Sequence, residues 1–317
     1  MVMTPSRPSV DPVRFEPFFV HLGSFVAVIV YFVLLGRASD PRAGVQFALP
    51  VALAVMSVYI LVAHRVRLLK QFDFGLWSMF FLGSLAVLAG SENALDLFAE
   101  YSPAILFVTL GMVAGVPLLL GREPFTVFFA RRGTPAWQQK TRDFVVINRV
   151  ITTWFAVLFL VAATLVVRAP HDFLFSTVYP NLLIFTVGIP SQFVIPPLYL
   201  RLVGPSPPEN VETAIMGMPL TFDAKAAPDI QATIQFHVSG EDTGDYWVRV
   251  ADGSCESAEG EAPAPDLVID TPGSVWLGIA RGEIDPAEAL LGQQYSIEGD
   301  GAILLRFSEW FPGRRER

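Results

Sequence analysis

The sequence predicts two structural parts: an all-α polytopic membrane bundle of six spans, followed by an α+β domain. Three observations lead to this fold class. Hydrophobic residues make up 52% of the 317 residues and charged residues only 16%, and the mean hydropathy of +0.48 is too high for an ordinary soluble protein. Six long apolar runs fill residues 17–200. After residue 210, short alternating runs and helical patterns replace them.

The predicted domain boundaries follow changes in composition. Residues 1–16 form a tail rich in Pro and Ser that we expect in the cytoplasm, and residues 17–200 form the transmembrane domain. Residues 201–210 contain three prolines and are predicted to be a short, semi-rigid linker. Residues 211–317 form the second domain. The charge also divides at the linker, since 15 basic and 11 acidic side chains precede residue 210, whereas 7 basic and 19 acidic ones follow from there.

The six apolar runs are each long enough to cross the ~30 Å hydrocarbon core of a bilayer. They are residues 17–36, 44–63, 74–90, 102–121, 148–167 and 174–200. Lys and Arg predict the orientation, because basic residues collect in cytoplasmic loops. With the N-terminus inside, twelve basic residues fall on the inner side, and only Arg37, Arg42 and Arg168 fall on the outer side. We therefore expect both termini in the cytoplasm, and the protein in a bacterial inner membrane.

The sixth run differs from the others because four prolines and a glycine interrupt its helical pattern. They are Pro180, Gly188, Pro190, Pro196 and Pro197. A broken helix leaves carbonyl groups that need polar partners in a membrane, and Asn181, Ser191 and Gln192 are candidates for this role. Two explanations stay open. Either the prolines only shape the bundle, or the segment forms the wall of a cavity that lipids can enter.

The longest loop, residues 122–147, combines aromatic and basic residues. In REPFTVFFARR, three phenylalanines at helical spacing precede two arginines, which predicts a short helix in the membrane interface. This segment, with Asn148, Arg149 and Trp154 after it, resembles uncharacterised bacterial membrane proteins of the intracellular septation protein A group over residues 105–165. That resemblance implies no chemistry. We interpret the loop as an anchor, with lipid-headgroup binding or docking of the acidic domain as alternatives.

The C-terminal domain begins with a predicted hairpin that has one apolar face. In IQFHVSG, Ile234, Phe236 and Val238 alternate with polar residues, and YWVRVADG alternates again after the turn EDTGD. A short apolar run, DLVID, then leads into a helix, in which Trp276 recurs at helical spacing with apolar neighbours before Gly282 ends it. A strand in YSIEGDG and an amphipathic helix in AILLRFSEWF complete the domain.

This order of elements resembles the sterol carrier protein type 2 domain family over residues 211–312. The similarity is carried by the hairpin IQFHVSG to DYWVRVADG, by PDLVID with the helix ending in GEIDPAEALL, and by the junction from Tyr295 to Gly301. Members fold into a sheet covered on one side by helices, with an apolar tunnel that holds a lipid. The resemblance therefore implies a lipid-binding module. The residues predicted to contact lipid are Phe236, Val238, Trp247, Leu267, Ile269, Trp276, Ile279, Leu290, Ile297, Leu304 and Phe307. Ordinary packing of the sheet against the helices explains each of them equally well.

The sequence contains no pattern typical of a metal or cofactor site. The histidines His21, His64, His171 and His237 form no HxxxH or HxxHH cluster, and there is no P-loop, CxxC or GxGxxG motif. The single cysteine, Cys255, is predicted to lie in a turn and can form no internal disulfide. The acidic second domain argues against nucleic acid as a partner. We expect no catalytic residue, no cofactor and no metal.

The predicted function is that of a membrane-anchored lipid-binding or lipid-transfer protein. Its cytoplasmic domain would hold a sterol-, hopanoid-, quinone- or fatty-acyl-like lipid at the inner membrane face. Its partners would be that lipid, the bilayer and other membrane subunits. The alternatives are a membrane enzyme that acts on such a lipid, or an accessory subunit of a membrane complex in which the lipid is structural. An enzyme would need polar groups inside the bundle, for which the candidates are Asn148, Arg149, Asn181 and Gln192.

Overall fold

The structure is a computed structural model that describes residues 18–227, 230–240 and 242–311. The predicted cytoplasmic tail, residues 1–16, lies outside this range. The described residues form a helical N-terminal region with several long apolar helices, followed by a C-terminal domain built on a mixed sheet. This order agrees with the predicted fold class.

The chain divides into two compact units. The first contains the residues up to Phe125 together with Thr152–Ser191, and the second contains Thr126–Ile151 together with the residues from Gln192 onward. The segment that the sequence predicts to be an interfacial loop is therefore grouped with the C-terminal domain. Helices that continue from one unit into the next connect the two.

Long apolar helices occupy most of the N-terminal region. The first seven helices are α1 (Phe18–Arg37), α2 (Pro41–Arg65), α3 (Gln71–Leu88), α4 (Glu92–Leu119), α5 (Phe125–Gly133), α6 (Ala136–Gln139) and α7 (Arg142–Arg168). Another long helix follows at Leu174–Val203. Within the described residues, five helices are long and apolar enough to cross a membrane, and α1 adds a shorter apolar stretch, Phe25–Arg37. The count of six spans stays a prediction, because length and composition alone identify these helices.

The start of α4 differs from the prediction. The helix begins at Glu92, ten residues before the predicted run at 102–121, because Ser91 caps it by accepting a hydrogen bond from the Ala94 N–H at 3.2 Å. The segment SENALDLFAEY, which lies before that predicted run, is therefore largely helical. A kink at Tyr101, where φ is −116°, separates this polar first part from the apolar part of the helix.

The helix Leu174–Val203 is interrupted as its prolines predict, although the chain stays helical throughout. It consists of a π-helical turn at Leu174–Val178, α8 (Tyr179–Leu183), a second π-helical turn at Ile184–Gly188, and α9 (Ile189–Val203). Each π-helical turn ends two residues before a proline, which has no N–H for the helical ladder. Asn181 and Ser191 donate side-chain hydrogen bonds to the carbonyls of Thr177 and Gly188, at 2.7 and 2.5 Å. The proposed lipid-accessible wall stays a prediction.

The C-terminal domain contains a five-stranded mixed sheet. Its strands are β1 (Ala232–Ser239), β2 (Gly244–Ala251), β3 (Ser254–Glu259), β4 (Leu267–Pro272) and β5 (Ser296–Gly299). The spatial order is β3-β2-β1-β4-β5, with β1 and β4 parallel and the other neighbours antiparallel. The helices of the domain are α10 (Val211–Met216), α11 (Met218–Thr221), α12 (Gly273–Arg281), α13 (Pro286–Leu291) and α14 (Gly301–Trp310).

The prediction that Cys255 lies in a turn is wrong, because this residue belongs to β3. A two-residue loop, Asp252 and Gly253, joins β2 to β3, and both residues have positive φ angles of 51° and 70°. This conformation matches a type I′ turn, whose twist suits a hairpin and which favours the pair Asp-Gly. That pair, directly after an alternating run, is the sequence signal that identifies the hairpin.

Candidate functional site

One face of the sheet is a continuous apolar surface. The strand register places Phe236 of β1 between Tyr246 of β2 and Ile269 of β4, and Ile269 opposite Ile297 of β5. Because neighbours in register point to the same side of a sheet, these four side chains form a row across it. A second row beside it contains Val248, Ile234 and Leu267.

Helices α12 and α14 cover this face with aromatic side chains. Trp276 of α12 is 3% exposed, and its ring centroid lies 4.7 Å from that of Phe236 and 5.9 Å from that of Phe307. The ring centroid of Phe307, in α14, lies 4.8 Å from that of Phe311. The Phe311 centroid lies 5.8 Å from that of Phe222. Edge and tilted contacts at these distances are the favoured geometries of aromatic pairs. We call the volume between the sheet and these helices the apolar layer.

Capping residues and one glycine junction determine where the helices over the sheet begin and end. Helix α12 ends at Gly282, whose φ of 75° is the left-handed conformation of a helix C-cap, as the sequence predicts. Asp285 caps α13 and Asp300 caps α14, each with its side chain accepting from backbone N–H groups of the first turn. Between β5 and α14, Gly299 has a φ of 105°, and a Cβ there would clash with the Asp266 carbonyl oxygen. Only glycine fits this junction.

Ten of the eleven residues predicted to contact lipid lie around the apolar layer. The buried ones are Phe236, Val238, Leu267, Ile269 and Trp276. The partly buried ones are Ile279, Leu290, Ile297, Leu304 and Phe307. The structure therefore brings these ten together on one side of the sheet, and their contact with a lipid stays a prediction.

Trp247 is the exception, because it lies on the opposite side of the sheet. Its register neighbours are Gln235 and Ala258, and it is partly exposed. Gln235, which is 2% exposed, accepts a hydrogen bond from Ala262 N–H at 2.7 Å and donates one to the Gly260 carbonyl at 3.2 Å. The chain after β3 thus covers this second face. The residues of β2 that face the apolar layer are Tyr246, Val248 and Val250.

Trp310 belongs to the site although the sequence analysis did not select it. It is 1% exposed and lies on the same side of α14 as Ile303 and Phe307, which precede it by seven and three residues. Its indole N–H has no hydrogen-bond partner among the described residues. The spacing of positions 303, 307 and 310 is the helical signal that could have identified it.

A polar cluster connects the segment before α7 to the first helix of the domain. Lys140 Nζ donates to Glu212 Oε2 at 2.6 Å, and this hydrogen bond raises the pKa of Lys140. Asp143 accepts from the Ser206 N–H at 2.7 Å and from the Ser206 hydroxyl at 2.6 Å. Burial, followed by the nearby Glu212 carboxylate, raises the pKa of Tyr246. Lys140 and Glu212 have the complementary charges that docking of the acidic domain on this loop requires.

The predicted linker also accepts hydrogen bonds from a side chain of the C-terminal domain. Arg281, at the end of α12, donates to the carbonyl oxygens of Pro208 and Glu209 at 3.0 and 3.1 Å. With the two hydrogen bonds from Ser206 to Asp143, these contacts restrict the linker beyond what its prolines impose.

Cys255 and the asparagines of the long helices are the residues on which a chemical role would depend. Burial, with a smaller effect of Glu256, raises the pKa of the Cys255 thiol to about 12, so the reactive thiolate is scarce at neutral pH. No group of three or more His, Cys, Asp or Glu in the described part of the chain is placed to hold a metal ion. Asn148, a candidate for an enzyme, is 3% exposed, and its side chain donates to the Phe144 carbonyl of its own helix at 2.8 Å. Asn181 donates to its own helix in the same way, and Arg149 and Gln192 are exposed.

The domain is thus a small α+β module in which an apolar layer separates a mixed sheet from the helices on one of its faces. Residues 222–312 match the family model described as the SCP-2 sterol transfer family. The C-terminal domain therefore has an SCP2-like fold, and the match indicates lipid binding or transfer as its class of activity. The resemblance of residues 105–165 to the septation protein A group stays a prediction.

Several solved structures are similar to parts of the chain. The palmitated SCP2L2 of Aedes aegypti is 14% identical, covering 31% of this chain and 88% of that chain, with a TM-score of 0.28. A conserved hypothetical protein of Thermus thermophilus is 19% identical over 31% of this chain and 78% of that chain, with a TM-score of 0.26. The inverting sec-alkylsulfatase Pisa1 of a Pseudomonas species is 12% identical over 84% of this chain and 45% of that chain, with a TM-score of 0.30. A search of curated proteins found no match.

Proposed function

We propose that the protein is a membrane-anchored lipid-binding or lipid-transfer protein, whose C-terminal domain holds an apolar lipid at the cytoplasmic face of a bacterial inner membrane. The observation that carries this proposal is the apolar layer, which lies in a domain that matches the SCP-2 sterol transfer family. In the same chain, a region of long apolar helices precedes that domain. The ligand class is a sterol-, hopanoid-, quinone- or fatty-acyl-like lipid.

Burial of hydrocarbon supplies the binding free energy in this proposal. Each buried methylene contributes ~0.8 kcal/mol, so about ten of them contribute roughly 8 kcal/mol. A hydrogen bond adds only about 0.5–1.5 kcal/mol to such a complex. The affinity therefore depends mainly on the apolar side chains, with Phe236, Trp276 and Phe307 at the centre of the contact network.

The helical region acts as an anchor in this proposal. Twelve of the fifteen basic residues before position 210 fall on the inner side of the six-span topology, which supports a cytoplasmic position for the domain. The contacts of Ser206 and of Arg281 restrain the linker. A carrier domain on a short, restrained linker meets the membrane at a high effective concentration, which favours repeated loading and unloading.

Mass spectrometry of the lipids that copurify with the gently solubilised full-length protein tests the proposal. We expect one class of apolar lipid to be enriched over its share of the membrane extract, at up to one molecule per chain. A chain truncated after Glu209, purified in the same way, is the matched control, because it keeps the apolar helices and lacks the domain. An identical lipid profile for both chains would contradict lipid binding by the domain.

A further inference from the structure

The last helix of the domain contains a buried hydrogen-bond donor that has no acceptor among the described residues. Trp310 of α14 is 1% exposed, and its indole N–H has no hydrogen-bond partner among the described residues. The backbone carbonyl of Trp310 is paired, because it accepts a hydrogen bond from the Asp223 N–H at 2.8 Å. Among these groups of Trp310, the indole N–H is therefore the one without a partner in the described residues.

The other buried polar side chains of the domain show how unusual this is. Tyr295 donates from its hydroxyl to the Pro286 carbonyl at 2.9 Å, and Gln235 uses both ends of its amide. Thr213 donates to the Asn210 carbonyl at 2.8 Å. A buried donor without an acceptor costs free energy, so almost all such groups in proteins are paired. An indole N–H that is unpaired among the described residues, in a domain where Tyr295, Gln235 and Thr213 are all paired, points to an acceptor from outside the chain.

The position of Trp310 relates this donor to the apolar layer. On α14 it shares the inward side with Ile303 and Phe307, and Phe307 contacts Trp276 at the centre of the layer. The guanidinium of Arg306 lies over the indole ring, 5.5 Å from its centroid, and the Arg306 side chain is 48% exposed. Trp310 therefore lies between the apolar layer and the surface of the domain. An amphiphilic lipid in the layer would place its polar end at such a boundary.

We propose that the indole N–H of Trp310 donates a hydrogen bond to the bound lipid, and that the ligand therefore carries an oxygen acceptor at its end next to α14. Carbonyl, carboxyl, ester and hydroxyl oxygens all meet this requirement, whereas hydrocarbons without oxygen do not. The inference rests on the proposed function and specifies how the polar end of its ligand is recognised. Trp310 thereby acts as a specificity residue in a site whose affinity comes from apolar contact.

Nuclear magnetic resonance of the indole groups tests this inference on the full-length chain. The protein, labelled with ¹⁵N at its six tryptophans, is placed in phosphatidylcholine nanodiscs, and Trp310→Phe assigns the Trp310 signal by removing it. Palmitic acid, which has an acceptor, is compared with hexadecane, which has none. We expect palmitic acid to move the Trp310 indole proton downfield and hexadecane to leave it unmoved. The Trp276 signal reports the entry of either molecule, because this residue packs in the layer.

The affinity of the variant provides a second readout. Trp310→Phe keeps an aromatic ring and removes the donor, so half-saturation by palmitic acid, followed at Trp276, should need about three- to tenfold more ligand. Half-saturation by hexadecane should not change. Trp154→Phe, an exposed tryptophan of α7, is the matched control and should behave as the unaltered chain.

The possible results separate the inference from the function on which it rests. A Trp276 signal that responds to palmitic acid while the Trp310 proton stays in place would overturn the hydrogen bond and leave lipid binding intact. Equal loss of affinity for palmitic acid and hexadecane in Trp310→Phe would also overturn it, because the ring would then act only by packing. If no indole signal of the domain responds to either molecule, the proposed function itself is contradicted.

Discussion

Trp276 packs at the centre of the apolar layer. Its ring contacts Phe236 below it and Phe307 beside it, so it joins the sheet to both covering helices. A side chain in this position contributes to folding through packing and to lipid binding through the same surface. Substitutions here must therefore be read with a separate measurement of folding.

Trp276→Asp should remove lipid binding. A carboxylate buried without a partner costs several kcal/mol, which corresponds to more than a tenfold loss of affinity. Lipid per purified chain, measured by mass spectrometry, should fall accordingly, whereas Trp276→Phe should retain most of it. Circular dichroism establishes that each variant is folded. Unchanged lipid content in a folded Trp276→Asp variant would exclude Trp276 from the site.

Cys255 should be protected from alkylation. Its pKa of about 12 lies above the ordinary thiol value of 9.0, so at pH 8 the folded protein holds roughly a thousandfold less thiolate than a free cysteine. We expect iodoacetamide, followed by mass spectrometry, to react much more slowly with the native chain than with the chain in urea. Equal rates in the two states would contradict burial of the thiol.

The same group makes stability depend on pH. The unfolded thiol loses its proton near pH 9 and the folded thiol near pH 12, so Cys255 stabilises the fold below pH 9 and this stabilisation is lost between pH 9 and 12. The free energy of unfolding of Cys255→Ser, measured over the same pH range, is the control. Serine does not titrate there, so any loss of stability that the variant keeps comes from other groups.

At the scale of elements, the segment of α5 and α6 has a helical pattern that is visible in its own sequence and an ion-pair contact with a distant element, α10. Helix α5 begins at the phenylalanines of REPFTVFFARR, as their spacing predicts. The contact of Lys140 with α10 joins residues that are 72 positions apart in the chain. The sequence indicates opposite charges on these two elements, and the structure identifies which of them meet.

The Lys140–Glu212 pair should be sensitive to salt. Exposed ion pairs contribute only about 0–1 kcal/mol, and the screening length falls from about 10 Å at 0.1 M to about 3 Å at 1 M salt. A carbodiimide, which joins amines to carboxylates in contact, should crosslink Lys140 to Glu212, and the yield, measured by peptide mass spectrometry, should fall as salt rises. Lys140→Gln is the control that abolishes this crosslink. A yield independent of salt would instead indicate a rigid interface held by other contacts.

At the scale of the whole molecule, the topology in the membrane remains the main prediction. Five helices of the described residues and the apolar part of α1 account for the six apolar runs. From the charge bias of twelve inner to three outer basic residues we expect both termini in the cytoplasm.

Reporter fusions test this topology directly. A reporter after Arg317 and one after Asn93, in the first turn of α4, should lie on opposite sides of the membrane. Activity of a cytoplasmic reporter is expected only at Arg317, and activity of a periplasmic reporter only at Asn93. Reporters on the same side at both positions would rule out the six-span arrangement.

The sequence by itself determined the features that depend on neighbouring residues. Apolar runs of about twenty residues indicated the long helices, alternation at a period of two indicated β1 and β2, and Gly282 indicated the end of α12. The order of elements after residue 230 was enough to suggest the fold of the domain. These features are local, so a short window of sequence contains the physical cause of each.

Tertiary structure alone decided which side chains meet. Trp247 and Tyr246 are adjacent and both aromatic, and only the pairing of β2 with β1 shows that Tyr246 faces the apolar layer. The parallel pairing of β1 with β4 brings Phe236 beside Ile269. The packing of α14 buries the indole N–H of Trp310, which has no acceptor within the described part of the chain. Each of these results depends on contacts between distant parts of the chain. The free energy of such contacts is shared among many residues, so no single segment of sequence is enough to predict them.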